Sequence, residues 1–121
     1  MQLRVSHIVV DCRDPETLAA FWSEALGVGI AQRWRQYVIL APTDSGAPAM
    51  AFQRVQEPKT GKNRMHVDFT VTDPEEVTDR LVGLGAGVVD EVSEDGVTAR
   101  VLADPEGNEF CLVRVPSAET A

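Results

Sequence analysis

Alternating apolar and polar residues predict a β-strand near the start of the chain. Residues 3–11 alternate in this way and are rich in Val and Ile. A period of two puts His7 and Val9 on one face of the strand and Ile8 and Val10 on the other. A histidine therefore lies on the face opposite to the more continuous apolar one.

An amphipathic helix is predicted after this strand. The Asp14 side chain can accept hydrogen bonds from free amides of a first helical turn, and Pro15 loses no hydrogen bond at that position. Gly27 suits the left-handed conformation that ends a helix. Apolar residues between these two ends recur at helical spacing and form one stripe, namely Leu18, Phe21, Trp22, Ala25 and Leu26.

The same arrangement occurs a second time. His66 lies in a short apolar run, as His7 does, and in both places Asp-Pro-Glu begins seven residues later. Both segments continue into a helical pattern that ends in Leu-Gly, and the second stripe consists of Val77, Leu81 and Leu84. The remaining strands are predicted at 29–41, 48–55, 65–71, 87–92, 96–103 and 108–115, with turns at 43–46, 93–96 and 104–108. One β-α-β-β-β unit therefore occurs twice.

The repeat predicts the fold class and the domain organisation. We expect one domain over residues 1–121, built of a module 1–55, a polar linker 56–63 and a module 64–116, with a flexible tail at 117–121. Each module has one helix, which covers one face of its sheet, and domains of this size are marginally stable alone. We therefore expect the two uncovered faces to meet. The prediction is an α+β fold in which two βαβββ modules form a curved, half-open mixed β-sheet barrel with the helices outside and a concave ligand site.

Composition and charge narrow the class of partner. The net charge of −8 argues against binding to nucleic acid. No apolar run is long enough for a membrane span and no signal peptide is recognisable, so a cytoplasmic protein is expected. Cys12 and Cys111 have no metal-type spacing, and we interpret both as reduced packing residues. A basic cluster near the midpoint is either a solvated loop or a rim that attracts an anionic small molecule; it consists of Arg54, Lys59, Lys62 and Arg64.

Three side chains suggest metal chemistry. The period of two sends both histidines of the chain, His7 and His66, and the carboxylate of Glu109 to the side that the helices leave uncovered. Two imidazoles and one carboxylate with open positions form a known site for divalent first-row metals, and catalytic zinc uses similar sets. The alternatives are hydrogen-bonded structural histidines and a salt bridge between Glu109 and Arg100 or Arg114.

The chain resembles the vicinal oxygen chelate superfamily, the glyoxalase, bleomycin-resistance and dioxygenase group, and in particular its short glyoxalase-like domain proteins. The resemblance covers essentially the whole chain. It rests on the paired units, His7–Asp11 with Asp14-Pro15 before the helix, Phe21-Trp22 through Leu26-Gly27, Leu84-Gly85-Ala86, and the run from Asp104 to Phe110.

The resemblance implies a divalent-metal enzyme of the lyase, isomerase or epimerase type that acts on a small substrate with vicinal oxygens. The resemblance further implies Ni, Mn, Fe, Zn or Co as the metal, with His7, His66 and Glu109 as ligands and Gln53 as an optional fourth. No carboxylate stands where glyoxalase I relatives carry their proton-shuttling base, and no further histidine is present for ring-cleaving dioxygenase chemistry. The proton carrier is unknown. Asp68 and Tyr37 are the candidates, although Asp68 also suits a role as hydrogen-bond acceptor for His66.

The alternative function is a metal-free protein that binds or sequesters a small molecule, as bleomycin-resistance relatives do. Three aromatic residues, Trp34, Tyr37 and Phe52, either stack on a flat ligand or pack in the core. Relatives pair their modules within one chain or across two, and usually form dimers in either case. We therefore expect a homodimer.

Overall fold

The computed structural model describes residues 5–63, 65–94 and 96–114. The predicted tail at 117–121, Arg64 and the middle of the predicted turn at 93–96 lie outside the described residues. The elements are β1 (His7–Cys12), α1 (Pro15–Leu26), β2 (Ile30–Trp34), β3 (Tyr37–Leu40), β4 (Ala49–Arg54), β5 (Val67–Thr70), α2 (Pro74–Leu84), β6 (Gly87–Glu94), β7 (Val97–Ala103) and β8 (Glu109–Arg114). Within these ranges neither helix, of 12 and 11 residues, is long enough to cross a membrane.

The strands form two four-stranded sheets with the orders β1-β4-β3-β2 and β5-β8-β7-β6. In each sheet the first and last strands of a module are parallel neighbours, and the other pairs are antiparallel. The α+β class and the repeated βαβββ plan are thus confirmed. The chain divides into two compact units between Lys59 and Thr60, which lies inside the predicted linker.

Both helices begin as their sequences predict. The carboxylate of Asp14 accepts hydrogen bonds from the backbone N–H of Thr17 at 3.2 Å and from its hydroxyl at 2.7 Å. Asp73 accepts from the backbone N–H of Glu76 at 3.1 Å. Each aspartate satisfies an amide that has no partner inside the helix, and a proline follows it directly. Gly27 ends α1 with φ 69°, where a side chain would be strained.

One face of each sheet is packed against a helix and forms the core. In the first unit, the cross-strand partners Val10, Phe52 and Val38 share the face that contacts α1, and Phe52 is fully buried. In the second unit, Leu102 and Phe110 are paired and buried on the corresponding face. Burial alternates along β1 and β8, as the period of two predicts.

Two local features differ from the prediction. The segment 29–41 contains a tight turn at Arg35 and Gln36, which separates β2 from β3 although the turn has neither Gly nor Asn. Arg35 has φ 55°, an uncommon conformation for a residue with a side chain. β5 is shorter than predicted and begins at Val67, so His66 lies one residue before the strand.

Candidate functional site

The open face of the second sheet is the face opposite to its helix-packed side. Asp68 and Cys111 are cross-strand partners on this face, because they alternate with the core pair Val67 and Phe110. Val101 is the partner of Cys111 on β7 and extends the face. The parallel pairing of β5 with β8 therefore brings polar residues from distant parts of the sequence side by side.

Three potential ligand atoms converge at this point. One ligand atom each from His66, Asp68 and Cys111 lies within 4.8 Å of the others. Nε2 of His66 is 3.5 Å from Oδ1 of Asp68, and both side chains are more than half exposed, at 55% and 58%. Asp68 thus lies next to His66.

Cys111 is more than a packing residue. It is free, which agrees with the interpretation of a reduced residue, and it is half-buried on the open face, where His66 and Asp68 lie beside it. Burial, followed by the negative charge and hydrogen bond of Asp68, raises the pKa of the Cys111 thiol above its ordinary value. The thiol is accordingly protonated at neutral pH. Cys12 does pack in the core: it is buried, and its thiol donates to the carbonyl of Gln53 at 3.6 Å.

Glu109 begins β8 directly after a rigid turn. The buried carboxylate of Asp104 accepts hydrogen bonds from the backbone N–H groups of Glu106 and Asn108, both at 2.9 Å. Asn63 donates through its side-chain amide to the carbonyl of Glu109 at 3.3 Å. The backbone at Glu109 is therefore held from both sides.

Among the residues that the structure describes, the carboxylate of Glu109 has one weak ionic partner, Lys62, at 3.5 Å. The Lys62 side chain is 84% exposed, and ion pairs of this kind contribute little. The expected alternative, a salt bridge to Arg100 or Arg114, is wrong because both arginines lie on the helix-packed face. Arg100 instead donates to Glu75 at 2.6 Å and to Glu91, and these hydrogen bonds raise its pKa.

In the first unit, strand register separates two predicted ligands. His7 is the cross-strand partner of Ala49, whereas Gln53 is the partner of Asp11. Gln53 is thus four residues farther along β4, or about 13 Å at the rise of a strand. The structure does not bring Gln53 together with His7, because parallel pairing places Ala49, which has no donor atom in its side chain, beside the histidine.

The two units differ at one equivalent position. Glu109 precedes Phe110, the partner of Val67, just as His66 precedes Val67. Glu109 therefore takes the position in the second unit that Ala49, the cross-strand partner of His7, takes in the first. The repeat provides a histidine in each unit but a carboxylate only in the second.

The predicted aromatic ligand set is reduced to two residues. Trp34 and Tyr37 are cross-strand partners whose rings stack with centroids 5.8 Å apart, and Trp34 is 52% exposed. The guanidinium of Arg35 lies 4.9 Å from the centre of the Trp34 ring. The prediction that Phe52 stacks on a ligand is wrong, because this residue is fully buried on the helix-packed face.

The basic cluster does not form an obvious anion site in the described ranges. Arg54 donates to the carbonyl of Arg13 at 2.8 Å, and Lys62 is paired with Glu109.

A shallow groove of about 430 Å³ lies elsewhere, at the N-terminal end of α2. It is lined by Thr72, Asp73, Pro74, Glu75, Thr98, Arg100 and Arg114. Glu75 and Glu91 offset the charge of Arg100 there.

Solved structures share this fold at low sequence identity. A glyoxalase/bleomycin resistance protein/dioxygenase family enzyme from Burkholderia phytofirmans PsJN is 23% identical, with a TM-score of 0.72 over 93% of this chain and 99% of that one. A glyoxalase-related enzyme from Fulvimarina pelagi is 19% identical, with a TM-score of 0.74 over 95% and 90%. A structure named oxidase ChaP-H2 is 15% identical, with a TM-score of 0.63 over 98% of each chain. Similarity at this level shows the fold alone.

Sequence comparison identifies the family. A search of curated proteins finds no match. The sequence profile described as a glyoxalase-like domain matches residues 7–113, which is most of the chain and includes both repeated units. The chain therefore belongs to the glyoxalase-like domain family of the vicinal oxygen chelate superfamily.

Proposed function

We propose that this protein is a divalent-metal-dependent enzyme, of the lyase, isomerase or epimerase type, that acts on a small substrate with vicinal oxygens. The observation that supports the proposal is that His66 directly precedes Val67 on β5, and Glu109 directly precedes Phe110, the cross-strand partner of Val67 on β8. His7 occupies the same point of its own unit. A core position would leave an imidazole or carboxylate without solvent or a partner, whereas these side chains remain available.

The chemical types of these donors suit a divalent ion. His7 and His66 each offer an imidazole nitrogen, and Glu109 offers a carboxylate whose only ionic partner in the described ranges is the exposed Lys62. A bound ion supplies Lewis acidity that stabilises negative charge on substrate oxygens. The carboxylate of Asp68, 3.5 Å from Nε2 of His66, is the candidate to accept or return a proton in the second unit. Tyr37 is the corresponding candidate in the first unit, and Gln53 has no role in this proposal.

Metal binding is tested on protein purified without chelator. We expect about one divalent ion per chain, and a higher melting temperature on addition of Ni²⁺, Mn²⁺, Fe²⁺, Co²⁺ or Zn²⁺, because an ion bound only by the folded state stabilises it. His7→Ala and Glu109→Gln should each weaken the metal-induced shift. Absence of bound metal together with absence of any shift would refute the proposal.

The Glu109→Gln variant also separates a ligand from a structural residue. In EDTA its melting temperature should equal or exceed that of the wild type, because an under-compensated carboxylate is removed at nearly constant volume. With metal it should melt lower than the wild type. Glu24→Gln removes the same charge from the exposed side of α1, which contributes no residue to the ligand set, and is the control. Equal destabilisation of Glu109→Gln with and without metal would remove Glu109 from the ligand set.

The stacked pair Trp34 and Tyr37 supports a second candidate, metal-free binding of a flat small molecule. An exposed indole next to a phenol ring offers a stacking surface. In a fluorescence titration with bleomycin, this function predicts binding that EDTA leaves unchanged, that Trp34→Ala weakens, and that His7→Ala and His66→Ala do not affect. Binding that requires metal and both histidines favours the enzyme instead.

A further inference from the structure

We propose that the second unit has a zinc site of its own, formed by Nε2 of His66, a carboxylate oxygen of Asp68 and Sγ of Cys111. The three residues come from the start of β5 and from the neighbouring strand β8. Cross-strand pairing of Asp68 with Cys111, and the two-residue step from His66 to Asp68, put all three on the open face.

The distances suit a small tetrahedral ion. With zinc–nitrogen, zinc–oxygen and zinc–sulfur bonds of about 2.0–2.3 Å, ligand atoms in a tetrahedral site are about 3.3–3.8 Å apart. Nε2 of His66 and Oδ1 of Asp68 are already 3.5 Å apart, and all three ligand atoms lie within 4.8 Å of one another. The exposed side chains of His66 and Asp68 have the rotamer freedom to close the remaining gap to Cys111.

The donor chemistry selects the metal. When zinc binds, the Cys111 thiol releases its proton to solvent and becomes a thiolate. A thiolate is a soft ligand that favours zinc over magnesium and calcium, which prefer oxygen, and imidazole also suits zinc. Three protein ligands leave one position for water or another small ligand, as in catalytic rather than structural zinc sites. The ion can reach these ligands from solvent, because the thiol of Cys111 is only half-buried and His66 and Asp68 are exposed.

This zinc site does not rest on the proposed function. It uses neither His7 nor Glu109, and it lies wholly within the unit that begins at Thr60. The two ligand sets share His66 alone. Because Nε2 of one imidazole binds one ion, His66 binds metal at only one of the two sites at a time.

Cobalt substitution tests the site through its sulfur ligand. Protein stripped of metal and titrated with Co²⁺ should develop near-ultraviolet sulfur-to-cobalt charge-transfer absorption, and Zn²⁺ should abolish it by displacement. Cys111→Ser should abolish the absorption and weaken Zn²⁺ binding by at least about 100-fold, since loss of an outer-shell partner alone costs up to that amount. Cys12→Ser is the matched control, because Cys12 is buried in the first unit, and it should leave the absorption intact.

A second measurement uses the unmodified chain. Zn²⁺ should protect Cys111 from alkylation by iodoacetamide, as measured by mass spectrometry of the peptide that contains it, and Mg²⁺ should not. Asp68→Asn should reduce the protection, because an amide oxygen is a weaker ligand than a carboxylate. Equal alkylation with and without Zn²⁺ would overturn the proposal even if Cys111→Ser failed to fold.

The variants separate failure of this site from failure of the proposed function. Loss of cobalt–sulfur absorption in Cys111→Ser, with metal affinity unchanged in His7→Ala, supports the zinc site and contradicts the function proposed above. Stoichiometric Co²⁺ binding without sulfur absorption, weakened in His7→Ala, overturns the zinc site and supports that function. Absence of any metal binding overturns both.

Discussion

Asp104 shows how one buried carboxylate determines the position of a candidate ligand. It is 4% exposed, and its side chain accepts from two backbone N–H groups and from the side-chain amide of Asn108. The turn residues before Glu109 are recognisable in the sequence, and so is the face of Glu109. The role of Cys111 cannot be recognised in the sequence, because its contact with Asp68 depends on the register of two strands that are more than forty residues apart.

Asp104→Ala should destabilise the protein by about 2–4 kcal/mol, because it removes the carboxylate that accepts from two part-buried backbone amides. Urea unfolding measures the change. Asp104→Asn, which keeps one acceptor oxygen, should lose less. Asp44→Ala, in an exposed turn, is the control and should stay within about 0.5 kcal/mol of the wild type. A similar stability for Asp104→Ala and Asp44→Ala would show that the side chain of Asp104 does not hold the turn.

The helices are the elements that the sequence predicts best, since their ends depend on local chemistry. Asp-Pro begins both helices where expected, at Asp14-Pro15 and Asp73-Pro74. The hairpin at Arg35 is the opposite case: tertiary pairing imposes a positive φ on a residue type that carries no turn signal. The ends of strands are predicted less well than the ends of helices, because the pairing partner determines where each strand stops.

The cap of α1 should make stability depend on pH in a defined window. Hydrogen bonds from the hydroxyl and the amide of Thr17 hold the pKa of Asp14 below its ordinary value of 3.8. A group whose pKa is lower in the folded state stabilises the protein above the unfolded value, and that stabilisation disappears as the pH falls through the folded pKa. Asp14→Asn should therefore melt below the wild type at pH 7, and the difference should shrink below about pH 4.

Melting temperatures between pH 7 and pH 2 measure this difference. Glu24→Gln, on the same helix, controls for the loss of one negative charge from α1. A difference between wild type and Asp14→Asn that stays constant down to pH 2 would show that the carboxylate charge of Asp14 does not stabilise the cap.

At the scale of the whole molecule, the repeat carries the most information. Recognition of two His-x₆-Asp-Pro-Glu segments predicts both modules and, through strand alternation, the uncovered face of each. The sequence does not predict how the modules associate, because a polar linker allows pairing within one chain and across two chains equally well. No local pattern distinguishes the two, since each module has the same sequence pattern in either case.

The uncovered faces motivate the last prediction, a homodimer. Three apolar side chains on these faces are about half exposed in the single chain: Val9 on β1 (49%), Trp34 on β2 (52%) and Val92 on β6 (48%). Association of two chains would remove such apolar surface from water.

Sedimentation equilibrium at micromolar concentration should give twice the 13.2 kDa of the chain. Val92→Lys, on the open face, should shift the mass toward the monomer, because a lysine ammonium is costly to bury. Val82→Lys, equally exposed but on α2, should leave the dimer intact. A wild-type mass of 13.2 kDa under these conditions would contradict the prediction.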